Sequence, residues 1–472
     1  MTVTPADRSV ATGGASDLPV VVIGAGPVGL AAAAHLRSYG LTALVLEAGE
    51  HVGAAMREWG HIRTFTAWRH IVDAAAEKLL APAGWTRPDG DLPPTGAEIV
   101  EKYLEPLAAV FGPSVVTGVR VVAVSRDGLD KLRTLGRNER PFLVRVQDTN
   151  GEVTDIRAGA VIDASGTWAQ RNPLGASGLP ALGERAAEAA GLVVGPLPDV
   201  LGTSRARFAG RRTLVVGMGH SAANTLLNLA ELARQEPGTE VVWAIRGADP
   251  ERLYGSGDDQ LRDRGKLGTQ LRSLAESGHI QHITGLSITR LEVAADRTTV
   301  MVVGHTAAGE QRIASVHTVV AATGFRPDLA MLSEVRLGLD PGLDAPSKLA
   351  PLIDPAFHTC GTVPPHGHRE LAHPSEPGFF VAGMKSYGRA PTFLIATGNE
   401  QVRSIAAHLA GDHTAADEVR LVLPQTADHP TGTELETDQV EAAHAAPTNG
   451  KPRVGFATDV ADGRSAELSL TP

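Results

Sequence analysis

The chain of 472 residues contains a single cysteine, Cys360. One thiol excludes an intramolecular disulfide, a CxxC redox pair and a metal site built only from cysteines. Clusters of basic residues are also missing, because the formal net charge is -10 and the charges are spread along the chain. Binding to a phosphate backbone needs such clusters, so we expect no nucleic-acid partner.

The sequence predicts neither a leader nor a membrane span. The first residues, MTVTPADRSVATGGASDL, contain no apolar core, which predicts a cytoplasmic protein without a secretory signal. The most hydrophobic segment, Pro19 to Leu36, is interrupted by glycines and a proline and is too short for a full span. Hydrophobic residues make up 43% and charged residues 20% of the chain, which is typical of a folded globular protein with two or three domains.

The first motif is VVVIGAGPVGLAAAAHL, which begins at Val20. Its β-branched run predicts a buried parallel strand, and the residues after the loop predict a helix. Gly24, Gly26 and Gly29 have the GxGxxG spacing, and Pro27 lies within the same loop. The next strand ends at Glu47, about 20 residues further on, where an acid accepts hydrogen bonds from ribose hydroxyls. Together these features predict a dinucleotide site that prefers an unphosphorylated ribose, and hence FAD.

A second loop with the same pattern lies in LVVGMGHSAANTL, from Leu214 to Leu226. Gly217 and Gly219 are kept, Ala222 takes the third glycine position, and His220 and Ser221 lie between them. The strand after this helix ends in Arg246 instead of an acid. An arginine there neutralises a 2'-phosphate, which predicts NADPH over NADH, whereas a solvated strand end is the plainer interpretation. His220 likewise either approaches the nicotinamide phosphates or simply begins the helix.

Both halves of the sequence repeat one order of elements: strand, glycine loop, helix, second strand, antiparallel meander and a final apolar strand. In the first meander Asn150 and Gly151 predict a hairpin turn. We predict an α/β protein with two Rossmann-like domains of three layers (ββα), the NADPH domain being inserted into the FAD domain. The predicted segments are 18–200 and 326–412 for FAD, 201–325 for NADPH, and 413–472 for a flexible tail with a possible short strand at Arg453 to Ala457.

On these motifs the chain resembles the two-dinucleotide-binding-domain flavoproteins, in particular the N-hydroxylating and flavin-containing monooxygenases. The matching stretches are VVIGAGPVGLAAAAHL, VIDASGTW, VVGMGHSAAN, AATGFRPDL and GFFVAGMKSYGRAPTFLIATGNEQVRSIAAHLAGD. WGHIRTFTAW and CGTVPPHG are similar to segments of bacterial FAD-dependent oxidoreductases encoded with arsenic-resistance genes. The resemblance implies that Gly324 and, in the closing stretch, Gly383, Ser386, Tyr387 and Arg389 adjoin the flavin or NADP.

The sequence departs from the related flavoproteins at three places. It has neither the CxxC nor the single redox cysteine that disulfide reductases carry at the first helix or in the NADPH domain. In the fingerprint F-x-G-x-x-x-H, Phe208 and Gly210 are present, but Leu214 occupies the histidine position. The acidic residue expected after the late glycine is replaced by Met384 and Lys385.

The resemblance implies a reaction cycle. NADPH reduces FAD by hydride transfer, molecular oxygen adds to the reduced ring, and the flavin hydroperoxide gives one oxygen atom to a nucleophilic nitrogen, sulfur or similar centre of a small molecule. Two alternatives stay open: an NADPH-dependent flavoprotein reductase or oxidase without oxygen insertion, and a redox-sensing flavoprotein.

Two further segments supply candidate residues. In EWGHIRTFTAW, Arg57, Trp59, His61 and Arg63 are candidates for contact with the flavin ring, the pyrophosphate or the substrate; core aromatics with surface charges are the alternative. The run FHTCGTVPPHGHRELAHP concentrates a thiol and four imidazoles, but their spacing matches no common zinc pattern. We therefore predict no metal there and a rigid loop covering the active site, with a metal or metalloid site as the alternative.

Overall fold

The structure is a computed structural model that describes residues 18–254, 262–358 and 363–421. Inter-residue contacts divide the chain into Met1–Thr433 and Glu434–Pro472, and all described residues belong to the first unit. The strands are β1 Val20–Ile23, β2 Ala43–Leu46, β3 Val115–Val116, β4 Val119–Arg126, β5 Phe142–Asp148, β6 Val153–Ala158, β7 Ala160–Asp163, β8 Val193–Val194, β9 Arg212–Val216, β10 Glu240–Ala244, β11 Gln281–Ile283, β12 Ser287–Val293, β13 Val300–Thr306, β14 Gly309–Val316, β15 Thr318–Ala321 and β16 Phe379–Val381.

In each half, helices connect strands of the parallel sheet. They are α1 Pro27–Ser38, α2 Ala54–Glu58, α3 Ala74–Leu80, α4 Gly96–Ile99, α5 Glu105–Phe111, α6 Glu184–Ala189, α7 Arg205–Phe208, α8 His220–Gln235, α9 Glu251–Tyr254, α10 Arg262–Glu276, α11 Ala350–Ile353, α12 His368–Leu371, α13 Ile395–Leu409 and α14 His413–Asp417. A π-helical turn, Val100–Leu104, joins α4 to α5. No helix within the described residues combines the length and the apolar character that a bilayer crossing requires.

The strands form two parallel sheets with matching orders. The first sheet runs β16-β7-β1-β2-β3, and the second, taken in the same direction, runs β8-β15-β9-β10-β11. Each sheet is accompanied by a three-stranded antiparallel meander, β4-β5-β6 or β12-β13-β14. From each glycine loop to the strand after each meander, the two halves repeat one order of elements, as predicted. The edge strands differ, because β16 comes last in the chain among the strands of its sheet and β8 comes first among those of its own.

The layers follow from the alternation of side chains along the buried strands. In β1, Val20 and Val22 pack in one core with residues of α1 and α13. Val21 and Ile23 pack on the opposite face with residues of the meander β4-β5-β6. The second half is built alike, with one core between its sheet and α8 and another between its sheet and β12-β13-β14. The predicted α/β fold with three-layer ββα domains is confirmed, including the hairpin that joins β5 to β6 through Gly151.

Two observations bear on the predicted domain segments. Strand β8 pairs with β15 in the second sheet, and Leu174, Ala181 and Ala187 pack in the core of that sheet. These residues of the predicted segment 18–200 thus contribute to the second sheet and its core; a two-residue strand is too short to stand out in a sequence. At the other end, α14 lies against α13, where Ser404 Oγ donates to Ala416 O at 2.7 Å. The folded body thus extends past residue 412, and the rest of the predicted tail from residue 422 lies outside the described residues, as does its possible short strand.

A buried ion-pair network ties the first meander to the segment before β16. Glu376 is fully buried and accepts from Arg126 Nε at 2.6 Å and from Arg137 Nη2 at 2.8 Å. Arg126 also lies 3.6 Å over the Phe142 ring. Burial by itself raises the pKa of Glu376, but the hydrogen bonds from Arg137 and Arg126 outweigh it and hold the pKa below its ordinary value.

Candidate functional site

The first glycine loop is shaped by close backbone contacts at two of its glycines. Gly24 has φ 99°, and a Cβ there would lie 2.8 Å from the Ala164 carbonyl oxygen. A Cβ on Gly29 would lie 1.9 Å from the Gly24 carbonyl oxygen, so strand and helix can approach only without a side chain. Gly26 differs, because a Cβ there would meet no atom within 4 Å. The loop is therefore tight on its protein side and open at Gly26.

Helix α1 begins at this open position. Pro27 is its first residue, Gly26 is its N-cap, and no side chain caps the helix. The backbone N–H groups of an uncapped first turn and the positive end of the helix dipole together favour an anionic ligand such as a pyrophosphate.

Glu47 follows β2 beside this loop. Its carboxylate accepts hydrogen bonds from the Ala25 backbone N–H at 2.7 Å and from the Gly49 N–H at 2.8 Å. These bonds fix the acid next to the turn, at the position where dinucleotide-binding domains contact a ribose hydroxyl. The predicted βαβ unit, glycine loop and terminal acid are thus together in space.

The second glycine loop repeats the geometry of the first. Gly217 has φ 135°, and a Cβ there would lie 2.0 Å from the Ala322 carbonyl oxygen, whereas a Cβ on Gly219 would meet no atom within 4 Å. Gly219 is the N-cap of α8, again without a capping side chain. Ala222, which replaces the third glycine, is fully buried in the helical core of this half. The second loop is therefore also closed toward the protein and open at its middle glycine.

Residues near the second loop take the places expected from the chain order. His220 is the first residue of α8, and the Ser221 carbonyl accepts from Thr225 Oγ1 at 2.9 Å within the helix. Arg246 lies just beyond β10, is exposed, and donates from Nη1 to the Ala176 carbonyl at 3.1 Å. A positive charge is thus present at the strand end where an NAD-preferring site has an acid.

The two halves touch close to both loops. The Phe65 ring lies 5.0 Å from the His220 ring, which brings the EWGHIRTFTAW segment to the start of α8. Trp168, after β7, lies 5.1 Å from Phe325, after β15. Gly324 has φ 80°, and a Cβ there would lie 3.4 Å from Asn172 Nδ2. Phe65 is a residue that sequence reasoning missed, because an aromatic in a mixed segment gives no signal of its partner.

The other candidates in EWGHIRTFTAW lie in different surroundings. Arg57 pairs with Glu105, and Arg63 donates to the Pro93 carbonyl at 2.5 Å; both are exposed. Trp59 packs on Gly96, where a Cβ would lie 2.7 Å from the indole ring. His61 is exposed. The structure therefore joins this segment to the second half through Phe65 and directs the two arginines to partners in the first half.

The closing stretch packs on the first turn of α1. Gly383 has φ 71°, a Cβ there would lie 3.4 Å from Val28, and its N–H donates to Gln401 Oε1 at 2.8 Å. Gln401 Nε2 in turn donates to Ser386 Oγ at 3.0 Å. Tyr387 is fully buried, whereas Arg389 is directed to Asp344 at 2.6 Å. Gly383 thus adjoins the first loop, Ser386 is linked to Gly383 through Gln401, and Arg389 makes its ion pair with another segment.

Lys385 and Asp163 form a buried ion pair in the same region. Lys385 Nζ donates to Asp163 Oδ2 at 2.6 Å and to Ser165 Oγ at 3.1 Å. The side chains are 1% and 0% exposed, respectively. The sequence has Lys385 near the position where the family has an acidic residue. It gave no sign that the partner of this lysine is Asp163, at the end of β7.

The histidines near residue 366 go to separate partners. His366 Nδ1 lies 2.9 Å from the Pro364 carbonyl, and its Nε2 accepts from Gln401 at 3.1 Å. His368 lies 3.0 Å from Ser404 Oγ, and His373 Nδ1 accepts from the Gly338 N–H at 3.2 Å. Within the described residues no three acidic, histidine or cysteine side chains are arranged to hold a metal ion. Cys360 lies outside the described residues.

Comparison with known proteins gives the same architecture. The sequence model of a family described as NAD(P)-binding Rossmann-like domain matches residues 22–84. A ferredoxin–NADP reductase from Thermus thermophilus is 25% identical over 346 residues, which are 73% of this chain and 84% of that protein. Among solved structures, the bacillithiol disulfide reductase from Bacillus cereus has a TM-score of 0.62 at 19% identity and covers 84% of this chain and 99% of its own.

A monooxygenase has the same fold. The FAD-bound structure of the cadaverine monooxygenase of desferrioxamine biosynthesis from Erwinia amylovora has a TM-score of 0.59 at 15% identity, covering 89% of this chain and 99% of its own. With the sheet orders above, these likenesses show that the chain has the fold of the two-dinucleotide-binding-domain flavoproteins.

Proposed function

We propose that the protein is an FAD-containing, NADPH-dependent monooxygenase that transfers oxygen to a nucleophilic heteroatom of a small molecule. One observation carries the proposal: two glycine loops of the same geometry, each open at its middle glycine, lie in halves that touch at Phe65 and His220. Two dinucleotides that meet within one chain are the arrangement needed for hydride transfer between them.

The assignment of cofactors to loops rests on charge. Glu47, held by two backbone N–H groups, accepts hydrogen bonds from ribose hydroxyls and repels a 2'-phosphate, which favours FAD in the first loop. Arg246, exposed beside the second loop, attracts a 2'-phosphate, which favours NADPH there. The protein groups fit both cofactors, because each open glycine adjoins the uncapped start of a helix.

The cysteine content favours oxygen as the electron acceptor. When bound, FAD supplies hydride acceptance from NADPH and reaction with molecular oxygen. A chain with one cysteine cannot form the intramolecular dithiol that would carry electrons from the flavin to a disulfide. The contribution of this chain is then to hold both nucleotides, position a small substrate at the junction and exclude water.

The test is a coupling measurement on the purified flavoprotein. NADPH oxidation is followed with small amines, thiols and arsenicals under isotopically labelled oxygen, and peroxide is measured in parallel. A monooxygenase consumes NADPH faster when its substrate is present, places labelled oxygen in the product and releases little peroxide. Recovery of all the electrons as peroxide with every compound would contradict oxygen insertion while leaving FAD and NADPH binding intact.

A second candidate is an NADPH-dependent flavoprotein reductase, favoured by the similarity to the ferredoxin–NADP reductase of Thermus thermophilus. A reductase delivers the electrons of NADPH to a protein or quinone acceptor. Rapid anaerobic reduction of ferredoxin or of a soluble quinone, without substrate-dependent oxygen uptake, would support this candidate over the monooxygenase.

A further inference from the structure

We propose that Lys385 is a positioning residue that sets the charge of the FAD site, its ammonium group offsetting the Asp163 carboxylate beside the first glycine loop. The proposal rests on the proposed function, because it takes FAD to bind that loop. It concerns the affinity for FAD and the reduction potential of the bound flavin, and it assigns a role to a pair that packing does not explain.

The burial of the pair is unusual. Lysine is almost never fully buried unless it is paired, and Lys385 is 1% exposed. A buried ion pair is seldom more stable than two well-packed apolar side chains in the same space, since both charges lose their hydration. Stability of the fold is therefore a weak reason for a lysine and an aspartate here.

Lys385 and Asp163 lie where the end of β7, the first glycine loop and the turn Gly383–Tyr387 meet. Asp163 ends β7 and lies opposite Ile23 in the register of the sheet, one residue before Gly24. A Cβ on Gly24 would lie 3.0 Å from the Ser165 Cα, and Ser165 Oγ is 3.1 Å from the Lys385 ammonium. Lys385 itself belongs to the turn Gly383–Tyr387, which packs on the first turn of α1.

Lys385 supplies the positive charge that offsets the Asp163 carboxylate. Asp163 Oδ1 accepts from Ser165 N at 3.1 Å and from Ser165 Oγ at 2.6 Å, and both donors are neutral. Among these partners only Lys385 balances the negative charge. FAD brings a diphosphate of two negative charges, and reduction makes the flavin more electron-rich. In a site of low dielectric an unbalanced carboxylate would repel the cofactor, and the reduced form more than the oxidised form.

The experiment compares Lys385→Met, Asp163→Asn and the double variant with the wild-type holoenzyme. The dissociation constant of FAD is measured by flavin fluorescence, and the midpoint potential by anaerobic reduction against reference dyes. Each variant is compared with the wild type at the same pH and ionic strength, so that the substitution is the only difference between the two measurements.

We expect K385M and D163N to shift the midpoint potential of the bound flavin in opposite directions. K385M should bind FAD at least tenfold more weakly, and the ratio of its affinities for reduced and oxidised FAD should fall about tenfold, which is about 30 mV toward lower potential for a two-electron couple. D163N should shift the potential upward. The double variant should return close to the wild-type value, and Lys385→Arg, which keeps the cation, should hold the wild-type potential.

Potentials that move in the same direction in both single variants, or that stay unchanged, would overturn the proposal and leave the pair a purely structural contact. If K385M does not fold, D163N decides alone, since its potential must rise. Failure of the proposed function is distinguishable: a wild-type protein that takes up no FAD contradicts the function itself. If the wild-type protein binds FAD and is reduced by NADPH, but the potentials of the two single variants do not move in opposite directions, only the role of Lys385 is contradicted.

Discussion

Replacing Gly26 with alanine tests the first loop without disturbing the fold. Gly26 has φ -80° and ψ -175°, which alanine adopts without strain, and its Cβ would meet no protein atom within 4 Å. The added methyl group would instead occupy the open side of the loop, where the pyrophosphate has to approach the backbone. We expect a folded protein that has lost its flavin.

The magnitude follows from the hydrogen bonds at the helix start. A hydrogen bond from a backbone N–H to a charged group contributes about 1.5–3 kcal/mol. A methyl group that displaces the pyrophosphate from two such groups therefore weakens FAD binding by about 3–6 kcal/mol, or roughly 10²- to 10⁴-fold. The free energy of unfolding of the apoprotein should stay the same or rise by about 0.4–1 kcal/mol, because alanine has less freedom than glycine in the unfolded chain.

Gly219→Ala is the matched variant in the second loop. Gly219 has φ -100° and ψ 176°, and its Cβ would also meet no atom within 4 Å. It should keep bound FAD and the yellow colour but lose reduction by NADPH. Gly29→Ala is the contrast, because its Cβ would lie 1.9 Å from a backbone oxygen, so it should lower stability whatever the ligand.

The assay combines flavin content after purification, titration of the apoprotein with FAD and thermal unfolding. Retention of wild-type FAD affinity by G26A would refute the assignment of the first loop. Loss of FAD by G219A with retention by G26A would mean that the two loops have the opposite ligands.

Arg246, Glu376 and His373 can each be tested by a single substitution. Arg246→Ala should raise the KM for NADPH roughly 10- to 100-fold, as expected for the loss of a charge-assisted contact, and leave the KM for NADH unchanged; equal effects on both would contradict a 2'-phosphate contact. Glu376→Gln should lower the free energy of unfolding by about 3–5 kcal/mol, because Arg126 and Arg137 would stay buried without their carboxylate; denaturant titration measures it, and a loss below about 1 kcal/mol would contradict the network. Burial lowers the pKa of His373 to about 4 from 6.5, so the unfolded state binds more protons between these values, and the free energy of unfolding should fall by up to about 3 kcal/mol as the pH drops from 6.5 to 4. His373→Asn, which keeps an acceptor for the Gly338 N–H, should remove that part of the pH dependence, and an unchanged pH profile would contradict it.

The repeated architecture could be predicted because its signals are local. Gly24 and Gly217 each follow a β-branched strand, and a tight turn between strand and helix needs glycine for reasons that the neighbouring residues already fix. The order of strands, loops and helices was therefore sufficient to predict two Rossmann-like halves. The two-residue strand β8 was not predicted, because its pairing with β15 depends on residues more than a hundred positions away.

The site was less predictable because its contacts join distant segments. The approach of Phe65 to His220 depends on how the two halves pack, and no periodicity records it. The same holds for Lys385, whose partner Asp163 lies on the opposite side of the inserted domain in the sequence. Arg57 and Arg63 have the residue type that suits a pyrophosphate, yet their partners Glu105 and Pro93 come from a region that their own segment does not reveal.

The strand order sets when each half of the molecule can be completed during synthesis. All five strands of the second sheet lie between Val193 and Ala321, so that sheet can close as soon as this stretch has left the ribosome. The first sheet must wait for β16, Phe379–Val381, which pairs with β7 from far upstream. We therefore expect the first sheet to be completed after the second during synthesis, and stable flavin uptake to be a late event in the biogenesis of the protein.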